Sequence, residues 1–265
     1  MFHQTHNTFG NRIYNAFLYG DGVTYDNHFH KSYELIYCMR GSLTLCEGDR
    51  QILLREGDLY LLFPYKNHAF SVKGKTRIWV GVFSGDYVSK FDALVAKKEP
   101  KDAKFRLDAK TDRFLRQTFF CKEKQGIYTL EKEELLALKG NLYLILSSFL
   151  ENADLVAQSD NRELMMRMIA YIEQNYKEQI TLHSAAAELN YHYQYLSRVF
   201  SGTMNMNFRT LVNQYRFDHA CLLLERGDMT VTEAALEAGF QSVRNFNRIY
   251  KEKTGKTPRE GKEKA

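Results

Sequence analysis

The last third of the chain contains two stretches of similar form, and this internal repeat constrains the fold more than any other feature of the sequence. The stretches begin at Ser184 and Thr232 and read SAAAELNYHYQYLSRVF and TEAALEAGFQSVRNFNRIY. Each has a short helix of small residues, a turn, and a second helix that ends in an aromatic residue. From about residue 160 onward, apolar residues recur at helical spacing almost throughout. We therefore predict an all-α domain over 160–265.

Both turns of the repeat are built from residues that tolerate a left-handed backbone. Gly239 ends the first helix of the second stretch, and Asn190 stands at the turn of the first stretch. Glycine adopts a positive φ freely, and asparagine does so more readily than most residues. A short helix crossed by a second helix with a polar outer face is the helix-turn-helix arrangement. The sequence predicts two such units, at about 182–201 and 232–254.

The second helix of each predicted unit has an outer and an inner side. Arg, Asn, Gln and Lys recur on the outer sides, and these side chains suit base edges and phosphates. The inner side of the second helix in the first unit is expected to hold Tyr195, Leu196, Val199 and Phe200. The inner side of the second unit as a whole, with its first helix and turn included, is expected to hold Ala235, Leu236, Phe240, Phe246 and Ile249.

Positive charge is concentrated at the same end of the chain. The formal net charge is +5, and residues 239–265 hold eight Lys or Arg against three Asp or Glu, so the remainder nets zero. A basic end on a neutral body suggests an anionic partner, of which nucleic acid is the commonest. A solvated, charged tail is the alternative interpretation.

The first hundred residues predict β structure. Short apolar runs such as YELIYCMRG, SLTLCEGD and LYLLFPYKN are separated by Gly, Asp and Asn, which is typical of an antiparallel sandwich or barrel. Within this part, EGDRQ predicts a hairpin turn. The charged segment AKKEPKDAKFRLDAKTDR indicates a connection or a short helix. The predicted fold class is therefore α+β with more than one domain.

A helix predicted over 131–157 carries a narrow apolar seam. The seam recurs at 3-4-3-4 spacing and consists of Leu135, Leu138, Leu142, Ile145 and Phe149. We expect a homodimer through this helix, with packing of the seam against its own domain as the alternative. The polar stretch ENADLVAQSDN indicates a domain boundary, after which Asp160 or Asn161 is expected to cap the next helix.

The segment HFHKSYE places His28, His30 and Glu34 at even positions. Alternate residues of a β-strand share a face, so on a strand the three side chains would point the same way. Such a set can hold a metal ion, or it can line a pocket without one. The segment alone leaves both interpretations open.

Cysteine usage and apolar run lengths constrain the compartment. The four cysteines lie far apart and form no CxxC pair, so we expect neither a disulfide framework nor a cysteine zinc site. A reducing cytoplasm is the simplest compartment. The start MFHQTHNTFG shows no signal-peptide pattern, and no apolar run approaches membrane-spanning length.

The C-terminal hundred residues resemble the AraC-type transcription regulators. The resemblance is carried by Arg216, Ala220, Leu223 and Leu224, by the pair Gly239-Phe240, and by the ending Phe246, Tyr250-Lys251, Thr254-Gly255 and Thr257-Pro258. Two positions depart from the family pattern. Asn205 stands where glycine is usual, and Gly261-Lys262 stands where an aromatic residue and Arg are frequent.

This resemblance implies two helix-turn-helix units that are joined by a long helix and read successive major grooves of double-stranded DNA. Carried over by position, the base-facing residues are Gln194, Ser197, Arg198, Val243, Arg244, Asn245 and Arg248, and the phosphate contacts are His192, Asn247 and Lys251. A surface ion pair is the alternative role for Arg198 and for Arg248.

The β region resembles the cupin sensor domains of the same family. Gly22, His28, His30, Glu34 and Gly41 match the spacing of the first cupin motif. The second motif matches less well: Gly57 and Pro64 are present, Lys66 replaces the expected glycine, and His68 falls close to the fourth ligand position.

The cupin resemblance leaves three roles for His28, His30, Glu34 and His68. They can line a metal-free pocket that hydrogen-bonds a small polar effector, which we prefer; they can bind a divalent transition metal; or they can be solvated or satisfied at the rim. Five aromatic residues lie nearby in the sequence pattern: Tyr25, Tyr33, Tyr37, Tyr60 and Trp79. They can stack on a sugar-like ring, or they can belong to the core of the β domain.

The expected function is sequence-specific DNA binding by a transcription regulator. We assign an effector-sensing domain to 1–105, a helical linker and dimerisation segment to 106–159 and a DNA-binding domain to 160–265. The effector is expected to be a small polar metabolite, and sugars are the common theme in the family. We expect no enzymatic activity and no cofactor, apart from the metal alternative. A cupin metalloenzyme with a basic helical appendage is the alternative function, and it predicts no DNA binding.

Overall fold

The computed structural model describes residues 14–20, 22–72, 74–121, 132–204 and 206–262. Within these ranges the chain forms two compact units that divide between Gln158 and Ser159. The N-terminal unit is rich in sheet and the C-terminal unit is helical. The predicted class is confirmed: an α+β N-terminal part is followed by an all-α tandem helix-turn-helix part. Asn205, one of the two departures from the family pattern, lies outside the described residues, as does Glu131.

The N-terminal unit is built on antiparallel strands. The strands are β1 (Tyr14–Tyr19), β2 (Thr24–His28), β3 (Tyr33–Arg40), β4 (Ser42–Glu47), β5 (Arg50–Arg55), β6 (Leu59–Leu62), β7 (His68–Val72), β8 (Arg77–Phe83), β9 (Lys98–Pro100), β10 (Lys104–Phe105) and β11 (Leu155–Ala157). One sheet has the order β1-β8-β3-β6-β10, a second has the order β2-β7-β4-β5, and β11 pairs with β9.

The sequence explains the central strand and the tightest hairpin. β3 lies between β8 and β6, and seven of its eight residues are buried, which fits its continuous apolar run. β4 and β5 are joined by Gly48 and Asp49, and Glu47 pairs with Arg50. Gly48 has φ +57°, the positive value that a two-residue hairpin turn needs. The hairpin predicted from EGDRQ is therefore confirmed.

Helices pack into the core of this unit. After a short 3-10 helix, Gly85–Val88, come α1 (Ser89–Val95), α2 (Ala109–Thr118) and α3 (Lys132–Asn152). The charged segment after Ala96 thus forms short strands and then α2, whose first turn is capped by the Asp108 carboxylate accepting from the amides of Lys110 and Thr111. The helix predicted over 131–157 ends earlier, because 155–157 form the strand β11.

The apolar seam of α3 faces the core of its own unit. Leu138, Leu142, Ile145 and Phe149 are at most 5% exposed, and Leu135 is partly buried against the same core. The prediction that this seam joins two copies of the chain is wrong, because its side chains are already covered by their own unit. The segment 106–159 differs from the predicted linker for the same reason: its helices complete the core of the N-terminal unit.

The C-terminal unit contains seven helices within the described ranges: α4 (Asp160–Asn175), α5 (Leu182–Leu189), α6 (Tyr193–Met204), α7 (Phe208–Glu225), α8 (Val231–Glu237), α9 (Val243–Thr254) and α10 (Pro258–Lys262). α5 with α6 and α8 with α9 form the two predicted helix-turn-helix units, and α7 connects them. Ser159, and not Asp160 or Asn161, is the residue that precedes the first turn of α4, and its side chain makes no capping hydrogen bond among the described residues.

The two turns adopt the predicted left-handed conformation. Asn190 has φ +59° and Gly239 has φ +90°. A Cβ placed on Gly239 would lie 2.6 Å from the carbonyl oxygen of Lys177, so this turn also packs tightly against backbone. Glycine is required there for two reasons, conformation and space.

Two of the residues predicted on the inner sides are exposed. Tyr195 is 40% exposed and donates a hydrogen bond from its hydroxyl to Oδ1 of Asn161, and Leu236 is 54% exposed. The other predicted inner residues are buried. Helical spacing therefore identified the inner side of each unit but not its full extent.

Among the described residues, no helix has both the length and the apolar character that crossing a lipid bilayer requires.

Candidate functional site

The first recognition helix, α6, presents a polar outer face. Gln194 and Arg198 are exposed, and His192 is exposed in the turn just before the helix. Ser197 is half-buried and lines a cavity of about 550 Å³ in the C-terminal unit, together with Gln241 from the turn of the second motif. The cavity therefore lies between the two motifs, and Ser197 is less accessible than the other predicted base contacts.

The second recognition helix, α9, begins with a side-chain cap. The Ser242 hydroxyl accepts a hydrogen bond from the amide of Asn245, which fixes the first turn. Along the helix, Arg244, Asn247, Arg248 and Lys251 are exposed, whereas Val243 and Asn245 are half-buried. Phe246, Ile249 and Tyr250 pack against α7. The predicted outer and inner sides of this helix are therefore separated in the structure.

A group of exposed tyrosines beside the first turn was missed by the sequence reasoning. Tyr191, Tyr193 and Tyr195 are each 37–40% exposed. Tyr191 stacks on Tyr195 at 5.8 Å between ring centroids, and Tyr193 stacks on His183 at 3.9 Å. Tyrosine hydroxyls are frequent donors to DNA phosphates. The signal was present, since three tyrosines two residues apart across a turn cannot all point inward.

A buried arginine connects α7 to the end of α4. The guanidinium of Arg216 donates to the carbonyl oxygens of Tyr176 at 2.6 Å and Glu178 at 2.7 Å. Burial and the charge of Arg209 lower the pKa of Arg216. Carbonyl groups just beyond a helix C-terminus carry partial negative charge, which suits a buried cation. The family-signature position Arg216 thus has a structural role here and does not reach the outer face.

Four side chains predicted to share a site in the N-terminal unit, those of His28, His30, Glu34 and His68, lie close together. One ligand atom from each of His28, His30, Glu34 and His68 can be chosen so that all four lie within 4.8 Å of one another. His30, Glu34 and His68 are buried and His28 is half-buried. The Glu34 oxygen Oε2 lies 2.9 Å from Nε2 of His30 and 3.3 Å from Nε2 of His68.

The convergence does not arise from a single strand, as the even spacing in HFHKSYE suggested. β2 ends at His28, residues 29–32 cross from one sheet to the other, and Glu34 is the second residue of β3. His68 stands opposite His28 in the register of β2 and β7. The side chains meet because strands of both sheets end at the same side of the unit.

A turn over 64–67 places His68 in the cluster. Tyr65 has φ +63°, and its amide donates to the carbonyl oxygen of His30 at 2.8 Å. The ring of His68 then donates from Nδ1 to the carbonyl oxygen of Lys66 at 2.8 Å. The turn therefore holds both the histidine and the loop that carries His30.

The electrostatics of the cluster keep the carboxylate ionised. Burial works to raise the pKa of Glu34, but the charge of His68 and the hydrogen bonds from His30 and His68 outweigh it, and the pKa lies well below its usual range. Burial works to lower the pKa of His68, but the charge of Glu34 outweighs it, and the pKa is raised. The second carboxylate oxygen, Oε1, is buried and has no hydrogen-bond partner among the described residues.

Most of the aromatic residues proposed for stacking belong to the core. Tyr33, Tyr37, Tyr60 and Trp79 are at most 2% exposed within the main core. Tyr25 is half-buried, stacks on Phe70 at 5.1 Å and lies 5.8 Å from the ring of His28. Of the five, Tyr25 is the one that the structure places beside the histidine cluster.

Family comparisons cover both units. The model of the AraC-like ligand binding domain matches residues 14–138, and that of a helix-turn-helix domain matches residues 185–264. The chain belongs to the AraC family of transcriptional regulators. It is therefore a DNA-binding regulator with an AraC-like ligand-binding domain, and the expectation drawn from the C-terminal motif is confirmed at this level.

Individual proteins similar to this chain include transcriptional regulators and one solved structure of the same fold. The HTH-type transcriptional regulator YfiF of Bacillus subtilis (strain 168) is 26% identical over 243 residues, which are 87% of this chain and 76% of YfiF. The HTH-type transcriptional regulator SAR0107 of Staphylococcus aureus (strain MRSA252) is 30% identical over 100 residues, which are 38% of this chain and only 13% of that protein. The solved structure of ToxT from Vibrio cholerae matches with a TM-score of 0.60 at 14% identity and covers 96% of this chain and 98% of ToxT. The ToxT match shows a shared fold.

Proposed function

We propose that this AraC-family regulator binds a small polar effector at the histidine cluster of its N-terminal unit and that this binding changes its affinity for DNA. The observation that carries the proposal is the buried Glu34 carboxylate, which is surrounded by three imidazoles and has one oxygen without a hydrogen-bond partner among the described residues. A buried polar atom without a hydrogen-bond partner costs folding free energy, and a ligand that donates a hydrogen bond to it removes that cost.

A sugar is not specifically favoured by these side chains. Ring stacking on a sugar needs an accessible aromatic face, and only Tyr25 among the five proposed residues lies beside the cluster. The polar groups suit any small molecule with oxygen acceptors or donors. The effector class therefore remains a small polar metabolite.

We propose that the DNA contacts are those predicted by position. Exposed Gln194, Arg198, Arg244 and Arg248 supply base readout, and exposed His192, Asn247 and Lys251 supply phosphate contacts. The half-buried residues contribute smaller contacts: Ser197 within α6, and Val243 and Asn245 in the first turn of α9. Arginine is the side chain best suited to guanine edges, and lysine is a compact cation that suits phosphate.

We propose a homodimer through the outer face of α3, since its seam is unavailable. Leu136 is 71% exposed and Leu144 is 37% exposed, and exposed Gly140 lies between them at spacings of four. Residues four apart share a helix face, and a small residue between two leucines permits close approach of a second helix.

The experiment that tests the DNA assignment compares two exposed side chains of α9. Arg248→Ala should cost about 1–3 kcal/mol on the cognate site and relax the preference at one base position. Lys251→Ala should weaken binding to all DNA sequences alike. It should also reduce the slope of log Kd against log salt concentration by about one, the contribution of one phosphate contact. Fluorescence anisotropy with labelled duplexes at several salt concentrations measures both. Binding that is insensitive to salt, or unchanged in both variants, would contradict the assignment.

A further inference from the structure

The cavity of about 550 Å³ in the C-terminal unit is lined by both helix-turn-helix motifs and by the helix that connects them. The first motif contributes Ser197 of α6, the second contributes Gln241 of the turn before α9, and α7 contributes Arg209 and Arg216. Nε2 of Gln179, in the loop after α4, donates to Oε1 of Gln241 at 2.9 Å and joins that loop to the second motif. The volume lies within the range of about 300–1,000 Å³ in which proteins bind small molecules.

The cavity carries positive charge without negative charge. Among the described residues, its lining includes two arginines and no aspartate or glutamate. Arg216 is buried, and its two hydrogen bonds to described residues go to neutral carbonyl oxygens, those of Tyr176 and Glu178. Burial and the nearby charge of Arg209 both lower the pKa of Arg216, because each disfavours the charged form. An anion placed between the two guanidinium groups would replace this repulsion with attraction.

The guanidinium of Arg216 is fixed in place and still has donors to offer. Nε donates to the carbonyl oxygen of Tyr176 at 2.6 Å, and Nη2 donates to that of Glu178 at 2.7 Å. A guanidinium carries more N–H donors than these two hydrogen bonds use, and Nη1 takes part in neither of them. Because the carbonyl groups already orient the side chain, little conformational entropy is lost when an anion binds to it.

The apolar part of the lining suits the body of an organic molecule. Phe200, Phe208 and Val212 are buried and line the cavity, and the rings of Phe200 and Phe208 lie 5.6 Å apart. An inorganic ion held by the arginines would leave this apolar wall in contact with water. An organic group attached to the anion would cover the wall and add the free energy of burying apolar surface.

We propose that this cavity binds a phosphate monoester with a small organic body, and that binding there weakens the affinity of the protein for DNA. A phosphate monoester carries a charge of about −1.5 to −2 near pH 7, which matches two arginines better than the single charge of a carboxylate does. Its oxygens can accept from the guanidinium groups of Arg209 and Arg216, and arginine suits phosphate because paired N–H groups meet paired oxygens.

The phosphodiesters of bound DNA share this chemistry but fit the cavity less well. Arg216 is only 8% exposed, so a phosphate must enter the cavity to reach its guanidinium. A phosphodiester is attached to a sugar on both sides, which keeps it on the surface of the duplex. A free monoester is attached to its organic body on one side alone and can enter.

Ser197 and Gln241 connect the cavity to the two recognition helices. Ser197 is a predicted base contact of α6, and Gln241 precedes Ser242, which caps α9. A dianion beside these residues repels DNA phosphates and reduces the positive charge that attracts them. Linkage then requires that DNA weaken binding of the monoester by the same factor. The effect on DNA rests on the proposed DNA contacts, whereas binding of the monoester does not.

The test of the cavity titrates the full chain with phenyl phosphate, followed by calorimetry in the absence of DNA. We expect one equivalent to bind, and we expect inorganic phosphate, which has no organic body, and benzyl alcohol, which has no charge, to bind far more weakly. Arg209→Gln should weaken binding of phenyl phosphate at least about tenfold, the loss expected for a hydrogen bond to a charged group. Arg226→Gln removes an exposed arginine of the same unit that does not line the cavity, and it should leave the affinity unchanged.

Circular dichroism before each titration checks that the variants are folded, and Arg209 is exposed, so its replacement should not disturb the core. No uptake of phenyl phosphate by wild type, or equal affinity in wild type and Arg209→Gln, would overturn the cavity site. Uptake that is lost in His28→Gln and kept in Arg209→Gln would place the probe at the histidine cluster and would also overturn it. No uptake by wild type, combined with weaker duplex binding by Arg209→Gln, would assign the arginine to a phosphate of DNA instead.

The effect on DNA is measured by fluorescence anisotropy with a labelled duplex, with saturating phenyl phosphate and with sodium chloride at equal ionic strength as the control. We expect phenyl phosphate to weaken duplex binding by wild type at least about fivefold, and we expect a smaller effect on Arg209→Gln. An identical Kd with and without the bound probe would overturn the regulatory half alone. Absence of duplex binding by wild type in any condition would count against the proposed function, and calorimetry would still decide the cavity site.

Discussion

Nη1 of Arg248 lies 2.7 Å from Oε1 of Glu252, one turn further along the second recognition helix. The other terminal nitrogen, Nη2, lies 3.1 Å from Oδ1 of Asn245. Both partners belong to the same helix, so in the absence of DNA the guanidinium is held by its own α9. To contact a base, Arg248 must exchange at least one of these partners.

Glu252→Gln is therefore expected to strengthen DNA binding. The exposed ion pair is worth about 0–1 kcal/mol, and its loss releases Arg248 and removes a negative charge from the DNA-facing helix. We expect a gain of up to about fivefold at low salt, which corresponds to that range, and a smaller gain at high salt. Glu151→Gln, which makes the same change of net charge in the N-terminal unit, is the control. Weaker binding by Glu252→Gln would show that the pair positions Arg248 for DNA.

Gly239→Ala should destabilise the second helix-turn-helix unit more than Gly227→Ala does. Both glycines have positive φ, +90° and +84°, so each alanine meets the left-handed penalty of about 1–2 kcal/mol. Only at Gly239 would the Cβ also lie 2.6 Å from backbone atoms of Lys177; at Gly227 it meets no described atom within 4 Å. Urea unfolding followed by circular dichroism gives both free energies. Equal losses of unfolding free energy in the two variants would mean that the backbone near Lys177 shifts to accommodate the added Cβ at no energetic cost.

The dimer proposal is tested on the outer face of α3. Leu136→Lys combined with Leu144→Lys places two charges on exposed positions, so the chain should stay folded while sedimentation shifts toward the monomer. Leu142→Asp places a charge at a fully buried position and should unfold the N-terminal unit. An unchanged association state in the double lysine variant would exclude this face as the dimer contact.

His219 should make the C-terminal unit less stable in mild acid. Burial, with the charges of Lys177 and Arg226, lowers the pKa of His219, and the Tyr176 hydroxyl lies 3.1 Å from Nδ1. Because the folded pKa is below the unfolded value of about 6.5, the unfolded chain binds more protons in that window. Stability should therefore fall as pH drops below about 6.5. His219→Asn should show a smaller decrease in unfolding free energy between pH 7.5 and 5.5; an equal decrease would assign the effect to other groups.

The helix-turn-helix units could be predicted from sequence because their signals are local. The left-handed turns at Asn190 and Gly239 and the outer face of α9 depend on residue type and on spacing within a few residues. The exposed Tyr195 could not be placed by that reasoning, since its partner Asn161 is 34 residues away. An aromatic residue at helical spacing does not reveal whether a distant element covers it.

The seam of α3 and the histidine cluster depended on contacts far apart in sequence. The periodicity of Leu138, Leu142 and Ile145 shows that one helix face is covered but not what covers it. The core of the same unit covers it. His28, His30 and Glu34 were expected to meet for a reason that is wrong, since residues 29–32 leave the strand. They meet through strand pairing across the unit, which spacing within one segment cannot report.

α7 runs as one uninterrupted helix from Phe208 to Glu225 between the two motifs, with Arg216 tied to the end of α4. Its eighteen residues rise about 27 Å, and a helix of that length does not stretch. The distance between the two reading helices is thus a fixed property of the protein, and the bound DNA must match it. One base pair inserted between the two contacted segments would displace the far segment by about 3.4 Å and rotate it by about a tenth of a turn. Operators for this protein should therefore tolerate changes of base identity in the middle of the site far better than changes in its length.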